Sequence, residues 1–169
     1  LAEPQSPQKR KNKPSLCSST SLREKRKRYH AEPAFKKYFL NNHSMHENEI
    51  SGIIIDVAYQ VHTRLGPGLL ESVYEEIMYY ELLKRGLQVD RQKGIPVVWE
   101  DIKMEVGFRA DLFVEKKVIV ELKSVELLAK VTPKITLTYI RLADIKLGLI
   151  INFGERYLKD GIKRIVNGL

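Results

Sequence analysis

The chain has a single cysteine, Cys17, among its 169 residues. One thiol excludes an internal disulfide and a thiolate-rich metal site, and points to a reducing compartment. The four histidines (His30, His43, His46 and His62) lack zinc-ligand spacing, and His62 reads as a residue at the core boundary. No apolar run approaches the ~20 residues that a spanning helix needs, so no membrane partner is expected and the expected location is cytoplasmic. Gly66-Pro67-Gly68 is not followed by the Lys-Ser/Thr of a phosphate-binding loop. No internal repeat is present. Aromatic residues make up 8 %, and the one tryptophan, Trp99, reads as structural.

Charge is plentiful but unevenly placed. The formal net charge of +8 invites a nucleic-acid reading. Residues 1–44 hold eleven Lys/Arg against three Glu, which accounts for all of it. The remaining 18 basic and 18 acidic residues cancel over Met45–Leu169. Net charge therefore says nothing about whether that part binds nucleic acid.

Two regions follow from this. Residues 1–44 combine prolines, the runs Lys9-Arg10-Lys11 and Arg23-Glu24-Lys25-Arg26-Lys27-Arg28, and few apolar residues. A disordered basic tail is the expectation, either an arm for nucleic acid or a localisation signal. Met45 stands directly before the first helical pattern, and we expect it to be the natural start, with the upstream residues an extended reading frame or an artefact. Against this, Ser44-Met45-His46-Glu47 has capping-box spacing. Residues 45–169 are long enough for one domain with a real core.

Within 45–169, Ile50, Ile53, Ile54, Val57, Ala58, Val61 and Leu65 recur at helical spacing, predicting a helix over 47–65. A second helix is expected from Gly68, as N-cap, to about Arg85, with Gly86 as its stop. Short strands are expected over 88–92, 95–99 and 103–107. Thr132-Pro133 predicts a helix to about Asp144, with Thr132 as N-cap. Lys146–Phe153 reads as a buried strand, and 162–166 as a strand or a short helix. The sum is an α/β core with a mixed sheet.

The most informative segment is the pair of runs 108–114 and 118–123, Phe-Arg-Ala-Asp-Leu-Phe-Val and Val-Ile-Val-Glu-Leu-Lys. With Glu115–Lys117 as a three-residue turn, Val114 faces Val118, Leu112 faces Val120 and Ala110 faces Leu122. This consistent apolar face selects the register. The other face then sets Asp111 opposite Glu121 and Arg109 opposite Lys123. Like charges directly opposite destabilise a sheet, so a cation belongs between the two acids: Arg109, Lys123 or a metal ion. The same charges also fit an ordinary solvated ladder. On the helix before them, Glu71 and Tyr74 are three apart and share a face. Acids favour helix N-termini in any case, and Tyr74 also fits a core aromatic with a wet hydroxyl.

Gly68-x-x-Glu71-x-x-Tyr74 resembles the signature that names the GxxExxY protein family, and Asp111 with Glu121-x-Lys123 resembles the active-site motif of the PD-(D/E)XK nuclease superfamily. The resemblance spans roughly Met45–Leu169. It implies a restriction-endonuclease-like αβββαβ core with an extra N-terminal helix, and metal-dependent hydrolysis of phosphodiesters in DNA or RNA. It further implies Mg²⁺ or Mn²⁺ on Asp111, Glu121, Glu71 and the Leu122 carbonyl, with Lys123 beside the attacking water. Tyr74, Arg109 and Tyr139 would support the site. Dimers are common among nucleases that cut both strands, so a homodimer is a further expectation.

One feature departs from that pattern. Many relatives carry His or Glu and then Gln on the helix after the Glu-x-Lys strand. Here the stretch is 131–142, Tyr139 is retained and the Gln position holds Ile135. This leaves open a second function, an inactive nuclease-fold module that binds nucleic acid or a protein partner.

Overall fold

A computed structural model describes residues 45–169. The basic tail, with Cys17, His30, His43 and the Ser44 cap, lies outside the described residues. Helix α1 (Glu47–Leu65) has the predicted bounds and buries Ile50, Ile54, Val57, Ala58 and Val61. Its cap is His46 rather than Ser44. The His46 ring accepts the Asn48 N–H, and Glu49 reaches back to the His46 N–H at 2.8 Å.

Helix α2 (Glu71–Lys84) starts later than expected, with Leu70 and not Gly68 at the N-cap. Gly66 and Gly68 instead turn the chain, at φ +71° and +103°, conformations that cost other residues dearly. Gly86, at φ +81°, follows the helix end as predicted.

The expected short strands fuse into two long ones. β1 (Val89–Trp99) and β2 (Ile102–Val114) form an antiparallel hairpin whose register shifts between Ile95 and Val97, where Pro96 has no N–H to give. β2 then pairs with β3 (Val118–Lys123) in the predicted register, Val114 to Val118 and Leu112 to Val120. The ladder stops there. Ala110 does not face Leu122: it packs with Phe108, Ile119 and Ile140, while Leu112 and Leu122 join the opposite core cluster. The face of β2 changes at Asp111.

Helix α3 (Thr132–Leu142) carries the chain across to β4 (Leu147–Asn152), which runs parallel to β3. Val131, not Thr132, is its N-cap. A single turn, α4 (Leu158–Gly161), precedes β5 (Ile162–Val166), so the ambiguous last segment is a strand, antiparallel to β4. Among the described residues the sheet order is β1-β2-β3-β4-β5. All of β4 is buried, as its unbroken apolar run requires of a parallel strand covered on both sides. One face of the sheet packs on α1 and α2 through Tyr74, Met78, Leu82 and the even-numbered residues of β3; the other packs on α3 through Ile140. This is the αβββαβ core with one extra helix before it and a strand after it.

Candidate active site

Three chain segments bring the site together. Glu121 and Lys123 lie two apart on β3 and so point the same way. β2 brings Asp111 alongside, and the first turn of α2 brings Glu71. The Lys123 ammonium is the common point: its Nζ is 3.8 Å from Glu71 Oε2, 3.8 Å from Asp111 Oδ2 and 3.8 Å from Glu121 Oε2. It also donates to the Leu122 carbonyl at 2.7 Å. The cation that the like-charged acids require is therefore Lys123. Arg109, the other expected counter-ion, pairs through its backbone with Gly94 and is exposed.

The two sheet acids differ in their surroundings. Asp111 accepts the Leu122 N–H at 2.8 Å and the Gln92 side-chain amide at 3.3 Å. Burial still holds its carboxyl above the usual value, against the pull of those bonds and of Lys123. Glu121 is 8 % exposed, and its Oε1 is buried with no hydrogen-bond partner among the described residues. Burial, then the charges of Asp111 and Glu71, push its carboxyl up to about 7, with Lys123 opposing.

Glu71 is held by the chain that leaves β3. Its Oε1 accepts the Ser124 N–H at 3.2 Å, and the Ser124 hydroxyl donates to the Leu69 carbonyl at 2.6 Å. Tyr74 does not touch the acids. Its hydroxyl donates to the Gly66 carbonyl at 2.6 Å and accepts the Leu69 N–H at 3.3 Å, while its ring stacks on Phe153 at 4.2 Å. It thus pins the loop that delivers Glu71. On the far side, fully buried Asn152 grips Val125 through both N–H (3.0 Å) and C=O (2.8 Å), and its Oδ1 also accepts the Gly154 N–H. Gly154 is fixed by the same contact, since a Cβ there would collide with the Val125 backbone.

A protein-family model for the PD-(D/E)XK nuclease superfamily matches residues 48–165. The chain belongs to this superfamily. Searches of curated proteins and of solved structures return no match. Within the PD-(D/E)XK frame, Asp111, Glu121 and Glu71 lie together around the Lys123 ammonium. Tyr139 does not join them: its ring stacks on Phe108 at 3.8 Å, between α3 and β2. Ile135 on α3 is 39 % exposed and offers no polar group. His62 is held as a boundary residue, its Nε2 2.9 Å from the Glu155 carbonyl.

PD-(D/E)XK nucleases generally use divalent metals such as Mg²⁺. The donors here suit a hard cation, being carboxylate oxygens and one backbone carbonyl, and Glu121 Oε1 has no hydrogen-bond partner among the described residues. Among the described residues the acids do not form a ready-made ion cage, because they close on the Lys123 ammonium instead. Binding would need that ammonium to yield a little.

Three residues outside the motifs form a network that reaches Asp111: Glu75, Arg91 and Gln92. Glu75 is 8 % exposed; it accepts from Arg91 Nε at 2.9 Å and from Gln92 Nε2 at 2.8 Å, and Arg91 also pairs with Glu76. Glu75 follows Glu71 by one helical turn, and that spacing was the available signal. Nothing in the pattern around Arg91 and Gln92 marked them.

Proposed function

We propose that this protein is a metal-dependent nuclease of the GxxExxY type, hydrolysing phosphodiester bonds in DNA or RNA through the 45–169 domain. The carrying observation is the buried Glu121 carboxylate, with one oxygen unpartnered and with Asp111 and Glu71 facing the same ammonium. Lys123 offsets only one of the three negative charges gathered there, and a divalent cation would offset the rest. Glu71, Asp111, Glu121 and the Leu122 carbonyl would hold Mg²⁺ or Mn²⁺. That carbonyl already accepts from Lys123 but has a second lone pair. When bound, the ion would polarise the scissile phosphate and the attacking water.

Lys123 has the remaining chemistry. Two residues from Glu121 and beside all three acids, its ammonium would orient the attacking water and offset charge developing on the phosphoryl oxygens. Asp111 and Glu71 are fixed by backbone N–H groups, so they would meet the cation with little reorganisation.

Two observations favour a second reading, a non-catalytic module. Lys123 sits equidistant from the three acids and offsets part of their charge without any metal, and Ile135 stands on α3 where the resemblance expects Gln. The test is Mg²⁺ and Mn²⁺ calorimetry on the full chain, followed by incubation with single- and double-stranded DNA and RNA. Binding and cutting that both disappear in Asp111→Asn/Glu121→Gln support the nuclease. Nucleic-acid binding without turnover under either ion, and indifferent to those substitutions, establishes the module.

A further inference from the structure

We propose that Gln92 is a positioning residue of this site, setting the Asp111 carboxylate for the cation; the inference rests on the metal-nuclease reading above. Gln92 and Asp111 face each other at a gap in the β1–β2 ladder, between the pairs Arg91/Leu112 and Lys93/Ala110. Gln92 adopts φ +47° there, a left-handed conformation that non-glycine residues rarely take inside a strand.

Its side-chain amide lies between two carboxylates, with Nε2 2.8 Å from Glu75 Oε2 and 3.3 Å from Asp111 Oδ1. Both neighbours are pure acceptors when ionised, so the NH₂ end must face them. Each of its two N–H groups then has its own carboxylate. Glu75 is anchored in turn by Arg91 at 2.9 Å. The relay Arg91, Glu75, Gln92, Asp111 thus runs from α2 and β1 to the site.

The consequence falls on Asp111. Gln92 holds Oδ1 and the Leu122 N–H holds Oδ2, so the carboxylate is restrained at both oxygens and each retains a lone pair for a cation. Outer-shell partners of this kind orient metal-ligating carboxylates. Backbone strain that persists beside a site is also the pattern expected where local geometry serves function.

The test separates function from folding by using glycine. Mn²⁺ calorimetry and thermal melting are run on the full-length wild type, Gln92→Gly, Gln92→Ala and Asp111→Asn. Glycine relieves the φ +47° strain while removing the amide. Gln92→Gly should melt above Gln92→Ala, which keeps the strain, yet bind Mn²⁺ about 10- to 100-fold more weakly than wild type, with Gln92→Ala equally weak. Wild-type affinity in Gln92→Gly overturns the inference and leaves the metal site standing. Affinity that falls further in Gln92→Ala than in Gln92→Gly, in step with their melting temperatures, also overturns it, marking Gln92 as structural. Equal binding by wild type and Asp111→Asn removes the metal-site reading and this inference with it.

Discussion

The Leu122 N–H donates to the Asp111 carboxylate at 2.8 Å, where the β2–β3 ladder has just ended at Leu112 and Val120. A side chain replaces a backbone partner at that point, so Asp111 has a structural task besides any chemical one. Asp111→Ala would leave a buried N–H unpaired and should cost about 1–3 kcal/mol. Asp111→Asn keeps an acceptor and should melt close to wild type. Loss of divalent-cation binding by the asparagine variant, read with its melting curve, isolates the chemical task.

Glu121 makes stability depend on pH. Its folded pKa of about 7 stands above the ordinary 4.5, so the folded state binds the proton more tightly. The contribution is fully present below about pH 4.5 and is lost as pH rises through 7, by up to about 3 kcal/mol. Glu121→Gln should therefore melt higher than wild type at pH 8 without added metal, and the difference should vanish near pH 4. A pH-independent difference between the two melting curves would contradict the burial argument.

Lys123 holds the three acids together and competes with any other cation for them. Lys123→Met should abolish phosphodiester cutting while strengthening Mn²⁺ binding, because the carboxylates lose their resident counter-ion. Calorimetry showing weaker binding would place Lys123 among the residues that build the cation site rather than those that compete with it.

The Tyr74 hydroxyl can be removed while the ring is kept. Tyr74→Phe preserves the stack on Phe153 but frees the Gly66 carbonyl and the Leu69 N–H. A cost of about 1–2 kcal/mol is expected, with weaker cation binding as Glu71 loses its fixed approach. Unchanged affinity would show that Ser124 alone suffices to hold Glu71.

Asn152 is the most exacting polar residue of the fold. Asn152→Ala leaves the Val125 N–H and C=O and the Gly154 N–H without their partner. The melt should show a loss of about 2–4 kcal/mol.

What the sequence disclosed follows the strength of its local signals. Helix α1 was legible to the residue because its apolar stripe is unbroken from Ile50 to Leu65. The β2–β3 register was legible because only one pairing keeps Leu112, Val114, Val118 and Val120 together. The spacing of the motifs is enough to single out Asp111, Glu121, Lys123 and Glu71, which the fold brings together. The change of face at Asp111 was hidden, because alternation continues through it in the sequence. Capping of α1 by His46 was missed since a ring nitrogen can stand in for a hydroxyl. Lys123, rather than Arg109, as the counter-ion was a matter of where β2 leaves the ladder, which no pattern of residue types records.

The hydrogen bonds from Ser124 to Glu71 and Leu69 join segments more than fifty positions apart. Opening the loop before α2 therefore breaks the same two bonds that hold the loop after β3. Amide hydrogen exchange at Ser124 and Val125 would report the opening of residues 66–70, and a cation bridging Glu71 to the sheet would slow exchange in both places at once.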